Sequence, residues 1–300
     1  MNVVVAGGTG LLGRAITKAL LDAGHTVVVA SRSQPARDPI DARASWVRAD
    51  VTDPPTLPAA LAGADAVVDA VQFPNSPIED PKKGLTFERI DLGGTKNLVD
   101  AAKAAGVPRF VGLSGVGAAE DAEFHWLRYK WAEEQHVKAS GVPFTMFRPS
   151  WIYGPRDVSL NRFLGFARFL PFIPIVGDGK TRISALFIDD LAVHVVAAVE
   201  RDDVRGRIFE IGGPDVLSMD EVVRAALKAA GKKRFLMHQP ASLMKTVAGI
   251  AQHLPGRLLT PDAVDFITMD GVADTGPLVE AFGLRLTPIA EGLATYLPTK

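Results

Sequence analysis

The stretch GGTGLLG, residues 7–13, holds the residue types that phosphate binding asks for. Gly7, Gly10 and Gly13 fall three apart, and Gly8, Gly10 and Gly13 also satisfy the spacing G-x-G-x-x-G. Glycine at such positions permits a tight turn, close approach of the backbone to a pyrophosphate, and close contact between strand and helix. The apolar run NVVVA (2–6) leads into the loop, and a helical pattern follows it. Unpaired N–H groups at a helix start, with the positive end of the helix dipole, favour an anion. The loop therefore predicts a dinucleotide site whose diphosphate meets Gly7, Thr9, Gly10, Leu11, Leu12 and Gly13.

The end of the second strand bears on which nicotinamide dinucleotide fits. An acid there bonds an adenosine 2′-hydroxyl, whereas an arginine accommodates a 2′-phosphate. The chain reads VVVASRSQPAR (27–37), with no acid before Asp38; Ser31 and Arg32 stand where the acid is expected. A guanidinium bonds phosphate bidentately, so NADP(H) is favoured over NAD(H). Asp50 and Val51, in RADVTD (48–53), follow the third strand. Asp50 either faces the adenine or opens a turn in a segment rich in turn formers.

These residues need a scaffold. Apolar runs at 2–6, 26–30, 45–49, 65–70 and 109–114 alternate with helical patterns at 13–24, 57–64 and 87–106. Strands recurring between helices imply parallel pairing, and solid apolar runs imply a sheet covered on both faces. A helix around 121–140 and a strand at 143–148 extend the series. The expected class is α/β: a Rossmann-like doubly wound parallel sheet with a smaller, discontinuous C-terminal lobe. Residues 1–150 form the nucleotide-binding domain and 183–203 return to it. Residues 151–182 with 204–300 form the lobe, mostly helical from 218 onward, with breaks at Pro240, Pro255 and Pro288.

The composition, 47% hydrophobic and 22% charged with a net charge of −1, is that of a folded globular chain and offers no nucleic-acid footprint. The absence of cysteine excludes disulfides, thiolate metal sites and cysteine nucleophiles. MNVVVAGG lacks a signal-peptide pattern, and a cytoplasmic location is expected. The most apolar stretch, 163–176, is shorter than the about 20 residues of a membrane span. It reads as a pocket lid or as a surface for a partner or a peripheral membrane. No metal is expected: His125 and His136 lie about 16 Å apart along a helix, too far to share an ion.

Taken together, GGTGLLG, ADVTD, LSGVG, the helix holding Lys130, RPSWIYGP (148–155), FIDDLA (187–192) and FEIGGP (209–214) resemble the extended short-chain dehydrogenases/reductases, in family order along nearly the whole chain. Within them the chain is most similar to the atypical branch, which holds complex I accessory-subunit-like and sugar-nucleotide-epimerase-like proteins. The resemblance implies a serine after the fifth strand, which is Ser114, and a ribose-binding lysine, which is Lys130. It implies a proton-donating tyrosine four residues before that lysine, where HWLRYKW (125–131) has Trp126. An indole cannot deliver the proton. Tyr129 is the remaining candidate, but helix neighbours point about 100° apart, so it needs a slipped register to reach the site. Lys130 has a plainer reading as a surface pair with Glu134. Asp189 and Asp190 read as the cap of the returning helix. Cofactor contacts are also expected from Ala70, Val71, Gln72 and Pro149.

Two functions follow as expectations. One is an NADP(H)-dependent oxidoreductase or epimerase-like enzyme with a non-standard proton donor. Its small, largely hydrophobic substrate would lie among Trp126, Trp151, Tyr153 and residues 163–176. The other is a non-catalytic NADP(H)-binding protein with a structural, sensing or assembly role. Either is expected as a monomer or homodimer.

Overall fold

The computed structural model describes residues 1–34, 39–74, 76–252 and 259–297. Six strands carry the first half: β1 (Asn2–Ala6), β2 (Thr26–Ser31), β3 (Ser45–Arg48), β4 (Ala66–Asp69), β5 (Phe110–Leu113) and β6 (Phe144–Pro149). The later strands are β7 (Ile152–Tyr153), β8 (Phe172–Val176), β9 (Arg182–Ile183), β10 (Leu186–Phe187), β11 (Arg207–Ile211), β12 (Leu217–Ser218) and β13 (Phe235–Gln239). Seven of them form one sheet in the order β3-β2-β1-β4-β5-β6-β11, parallel throughout. The order reverses direction at β1, so the crevice between the β1 and β4 ends is the switch point where such sheets bind ligands.

Helices cover both faces. They are α1 (Leu11–Asp22), α2 (Leu57–Leu61), α3 (Gly93–Ala104), α4 (His125–Ser140), α5 (Ser159–Phe169) and α6 (Ile188–Glu200). The remainder are α7 (Met219–Ala229), α8 (Ala241–Ala251), α9 (Pro261–Thr268), α10 (Gly276–Phe282) and α11 (Ile289–Ala294). One face of the sheet packs Val3, Val5 and Val68 against Ile16, Leu20, Leu191, Val195 and Val199 of α1 and α6. The other packs Val4, Val67, Phe110 and Met146 against Leu98, Val99, Ala102 and Val137 of α3 and α4. Successive strand residues point to opposite faces, which is why runs such as VVV serve both layers.

The return of the chain differs from expectation. Residues 183–203 come back through α6, because β10 pairs with β7 in a separate two-stranded ladder. The seventh strand of the main sheet is β11, which the sequence assigned to the lobe beyond residue 204. Its burial alternates along Arg207–Ile211, as an edge strand's does. The lobe is built on a second core in which Leu160, Leu164, Ile173 and Ile175 meet Val222, Val223 and Leu293. Its parallel pair β8–β13 adds a strand to a region read as helical. Pro255, an expected break, lies outside the described residues.

Candidate functional site

The glycine loop has the conformation its sequence asks for. Gly7 has φ +75°, and a Cβ there would sit 2.5 Å from the Ala70 oxygen. A Cβ on Gly13 would collide with the Gly7 carbonyl, so loop and helix touch backbone to backbone. Gly10 caps α1 in an extended conformation and supplies no side-chain acceptor, so the first-turn N–H groups of Leu11, Leu12 and Gly13 have none from the cap. Arg14 braces the loop by donating from Nε to the Thr9 oxygen at 2.9 Å. Ala70, Val71 and Gln72 follow β4 directly across from Gly7.

Arg32 is exposed just beyond β2, and Asp38 lies outside the described residues. Ser31 accepts from Trp46 Nε1 at 2.9 Å and donates to the Ser33 oxygen. Arg48, also exposed, stands beside Ser31 in the register of β2 and β3, so the second strand's end carries two cations. The Asp50 carboxylate accepts from the N–H and hydroxyl of Thr52, the turn-opening role that its surroundings allow. The Val51 oxygen accepts from Asn97 Nδ2 at 2.7 Å, which ties this turn to α3.

The catalytic candidates gather on α4 and β5. Ser114 follows β5 and is buried, its backbone N–H bonded to the Phe147 oxygen at 2.7 Å. Its hydroxyl has no hydrogen-bond partner among the described residues. Pro149, at the end of β6, accepts from the Val116 N–H. Lys130 does not make the surface pair with Glu134 that its plainer reading offers. Its ammonium lies 3.0 Å from Asp91 Oδ1 and 3.1 Å from Glu133 Oε2, and both carboxylates are 1% exposed. Glu134 instead makes a bidentate pair with Arg148 at 2.7 Å from both oxygens.

Burial works against the Lys130 ammonium, but the two carboxylates outweigh it and hold its pKa above the ordinary value. Burial pushes Glu133 up to about 8 and raises Asp91 too, in each case outweighing the attraction of Lys130. Asp69, at the end of β4, is raised for the same reason while it accepts from Thr95 Oγ1 at 2.7 Å and from the Val71 N–H at 3.1 Å. Two of these buried carboxyls, Asp91 and Glu133, pair with the one ammonium, and burial pushes all three carboxyls toward the protonated form.

The sequence did not reveal Asp91, Glu133 or Asp69 as site residues. Asp91 stands in a π-helical turn, Phe87–Leu92, ahead of α3, and no local spacing links it to Lys130. π-turns recur at functional sites because the widened turn redirects a side chain.

Trp126 fills the position where the resemblance implies a tyrosine. It is 2% exposed and stacks on Phe124 at 4.6 Å with an interplanar angle of 3°. Phe87 and Phe266 flank it at 6.2 and 5.9 Å. Its indole N–H is buried without an acceptor among the described residues. Tyr129 is one helical step, about 100°, from Lys130 and packs against the aromatic cluster that holds Trp126. Its ring meets His125 edge-on at 5.9 Å, and burial followed by Glu88 and Glu79 raises its pKa, the opposite of activation by a lysine. The regular helix of α4 leaves it no slipped register.

The expected substrate wall is also divided. Trp126 packs with Phe73, Phe87 and Ile90, with Phe266 and Met269 of the lobe against it. Tyr153 is fully buried in the lobe core, and Leu164, Ala167, Ile173 and Ile175 of the apolar stretch lie there with it. Arg168, Phe169 and Pro171 are exposed, Phe169 by 86%. Asp190 is not a helix cap: Phe187 holds that position, and Asp190 reaches the N–H and hydroxyl of Thr287 at 2.6 and 2.7 Å.

The arrangement fits a dinucleotide: a glycine cradle that a Cβ at Gly7 or Gly13 would fill, a buried unpartnered hydroxyl at Ser114 just beyond β5, and the largely buried Lys130 ammonium on α4. A family model described as NAD(P)H-binding matches residues 7–162. The photosystem II assembly factor Ycf39 of Synechocystis is 26% identical over 95% of this chain and 86% of that protein. NADH dehydrogenase [ubiquinone] 1 alpha subcomplex subunit 9 of Arabidopsis thaliana is 28% identical over 73% of this chain, which spans 55% of that subunit. NAD(P)H azoreductase of Xenophilus azovorans is 29% identical over 77% of this chain and 74% of that enzyme. In fold, the chain is similar to UDP-glucuronic acid 4-epimerase from Bacillus cereus, solved with UDP-glucuronic acid and NAD. The TM-score is 0.76 at 19% identity, with 99% of both chains covered.

Proposed function

The chain belongs to the NAD(P)H-binding family, in the fold of the short-chain dehydrogenases/reductases, and on that premise we propose that it is an NADP(H)-dependent oxidoreductase acting on a small, largely hydrophobic substrate. The buried Lys130 cluster carries this reading. Taking an ammonium and its two carboxyl partners out of water costs several kcal/mol, and apolar replacements are often neutral or stabilising, so the cluster is weakly explained by stability alone. Bound at the glycine loop, the dinucleotide would supply the hydride. Gly7, Gly10 and Gly13 would admit its diphosphate, Arg32 its 2′-phosphate and Lys130 its ribose. Ser114 Oγ would orient the substrate carbonyl. Trp126 and Phe266 would exclude water, and Glu133, whose carboxyl burial pushes toward the protonated form, would stand in for the missing tyrosine.

The test is NADPH oxidation by the purified protein with quinones, enones and aldehydes. Turnover is expected, with NADPH preferred, and Arg32→Ala should weaken NADPH binding at least about tenfold more than NADH binding, since the guanidinium meets only the extra phosphate. Equal losses would remove the 2′-phosphate role. Tyr129→Phe should leave turnover within about twofold, because that side chain faces away from Lys130.

A second reading has its own support. Trp126 fills the donor position, and the assembly-factor relative is not described as an enzyme. A non-catalytic NADP(H)-binding protein would dock through exposed Phe169 and Phe235, next to Lys232, Lys233 and Arg234. Tight NADPH binding with no oxidation across the panel would favour it.

A further inference from the structure

His125 opens α4 beside Trp126, its ring 5.2 Å away edge-on, and takes no part in the dinucleotide site described above. Glu79, from the segment after β4, reaches its Nε2 with Oε2 at 3.2 Å. Asp262, in the first turn of α9, completes a group in which one ligand atom from each residue lies within 4.8 Å of the others. We propose that Glu79, His125 and Asp262 form a site for one divalent transition-metal ion of zinc-like chemistry, joining the lobe to the nucleotide-binding domain.

The donor set selects the ion. One imidazole with two carboxylates suits zinc and its neighbours, whereas calcium and magnesium ask for oxygen alone. Ligand atoms at about 2.0–2.2 Å from a tetrahedral ion lie about 3.4 Å from one another. The His125–Glu79 separation is already close to that. Asp262 is exposed, and its ligand atom lies within 4.8 Å of the other two.

Support behind the ligands points the same way. Glu79 Oε1 accepts the Phe87 N–H at 2.7 Å, which fixes the carboxylate as outer-shell partners fix metal ligands. The helix bearing Asp262 is positioned independently of it. Thr260 Oγ1 caps α9 through the Ala263 N–H, and Phe266, one turn on from Asp262, packs against Trp126. Packing alone thus brings two like charges to one imidazole. His25, His136 and His238 each face a single carboxylate, of Glu200, Asp100 and Asp220. Among the described residues no other such trio exists. Three protein ligands leave a tetrahedral ion one open position, the arrangement of catalytic rather than closed structural zinc. Histidine spacing along α4 concealed the site because its other ligands come from different segments.

Full-length protein, stripped with a chelator and dialysed, is titrated with zinc chloride by calorimetry, and with cobalt(II) by visible absorption. One ion per chain is expected. His125→Ala and Asp262→Asn should each weaken binding about tenfold or more, with circular dichroism unchanged, while His136→Ala should not. The melting temperature should rise with zinc in the parent chain and not in Asp262→Asn. Absence of stoichiometric binding, or binding indifferent to both substitutions, overturns the site. The titration contains no dinucleotide, so its outcome is separate from that of NADPH oxidation.

Discussion

The resemblance points to Lys130 as a site residue, but the sequence says nothing of its electrostatic company. Its partners are Asp91, which precedes α3 and β5 in the chain, and Glu133, three residues on, which a surface-helix reading passes over in favour of Glu134. Burial reverses the ordinary behaviour of both carboxyls, and burial is invisible in a spacing pattern. The consequence is a pH dependence. Glu133 has a folded pKa of about 8, above its ordinary 4.5. Between those values the folded state binds the extra proton, so this group's contribution is complete below about 4.5 and is lost as pH rises through about 8. Glu133→Gln removes the titration and keeps the shape. Melting temperature measured from pH 5 to 8.5 should fall more steeply for the parent chain than for Glu133→Gln. Parallel profiles would mean that Glu133 is ionised throughout.

At the scale of elements, the first six strands and the glycine loop were legible because parallel buried strands leave unbroken apolar runs and the loop has its own spacing. The edges were less so. RIFEI at β11 alternates and carries charges, so it reads as peripheral although it closes the main sheet. Asp189–Asp190 look like a cap at the start of α6. Asp190, however, is spent on a distant segment, where its two bonds to Thr287 fix the approach to α11, and its own backbone oxygen accepts from His194 Nδ1 at 2.7 Å. Hydrogen bonds to a charged group contribute about 1.5–3 kcal/mol. Asp190→Ala leaves the Thr287 N–H without its carboxylate, and urea unfolding should show a loss of about 2–3 kcal/mol with little change in NADPH affinity. An unchanged midpoint would show that the carboxyl-terminal segment is held by its other contacts, the Ile289 N–H bond to Asp215 and the packing of Ile289 and Leu293.

For the whole molecule, packing ties the carboxyl-terminal segment to the main sheet. Leu278, Phe282 and Leu286, near the carboxyl terminus, lie in the same core as Val3, Ile16 and Phe209 of the nucleotide-binding domain. Phe282 meets both Phe147 and Phe209, the side chains of two adjacent strands of the main sheet. Arg201, just after α6, donates to the Ala281 and Phe282 oxygens. The chain therefore crosses from lobe to sheet and back, and neither core is complete without both halves of the sequence. A ligand that binds only the folded state stabilises it by about 2.7 kcal/mol at a hundred times its dissociation constant. In a chain of this size each kcal/mol raises the melting temperature by about 2–4 °C. Saturating NADPH should thus move a single transition upward by about 5–10 °C, and NADH at equal concentration should move it less because Arg32 has no 2′-phosphate to meet. Differential scanning calorimetry distinguishes this from the alternative, two transitions of which NADPH shifts one. That result would mean that the shared carboxyl-terminal packing does not couple the lobe to the sheet, and that the dinucleotide stabilises the sheet alone.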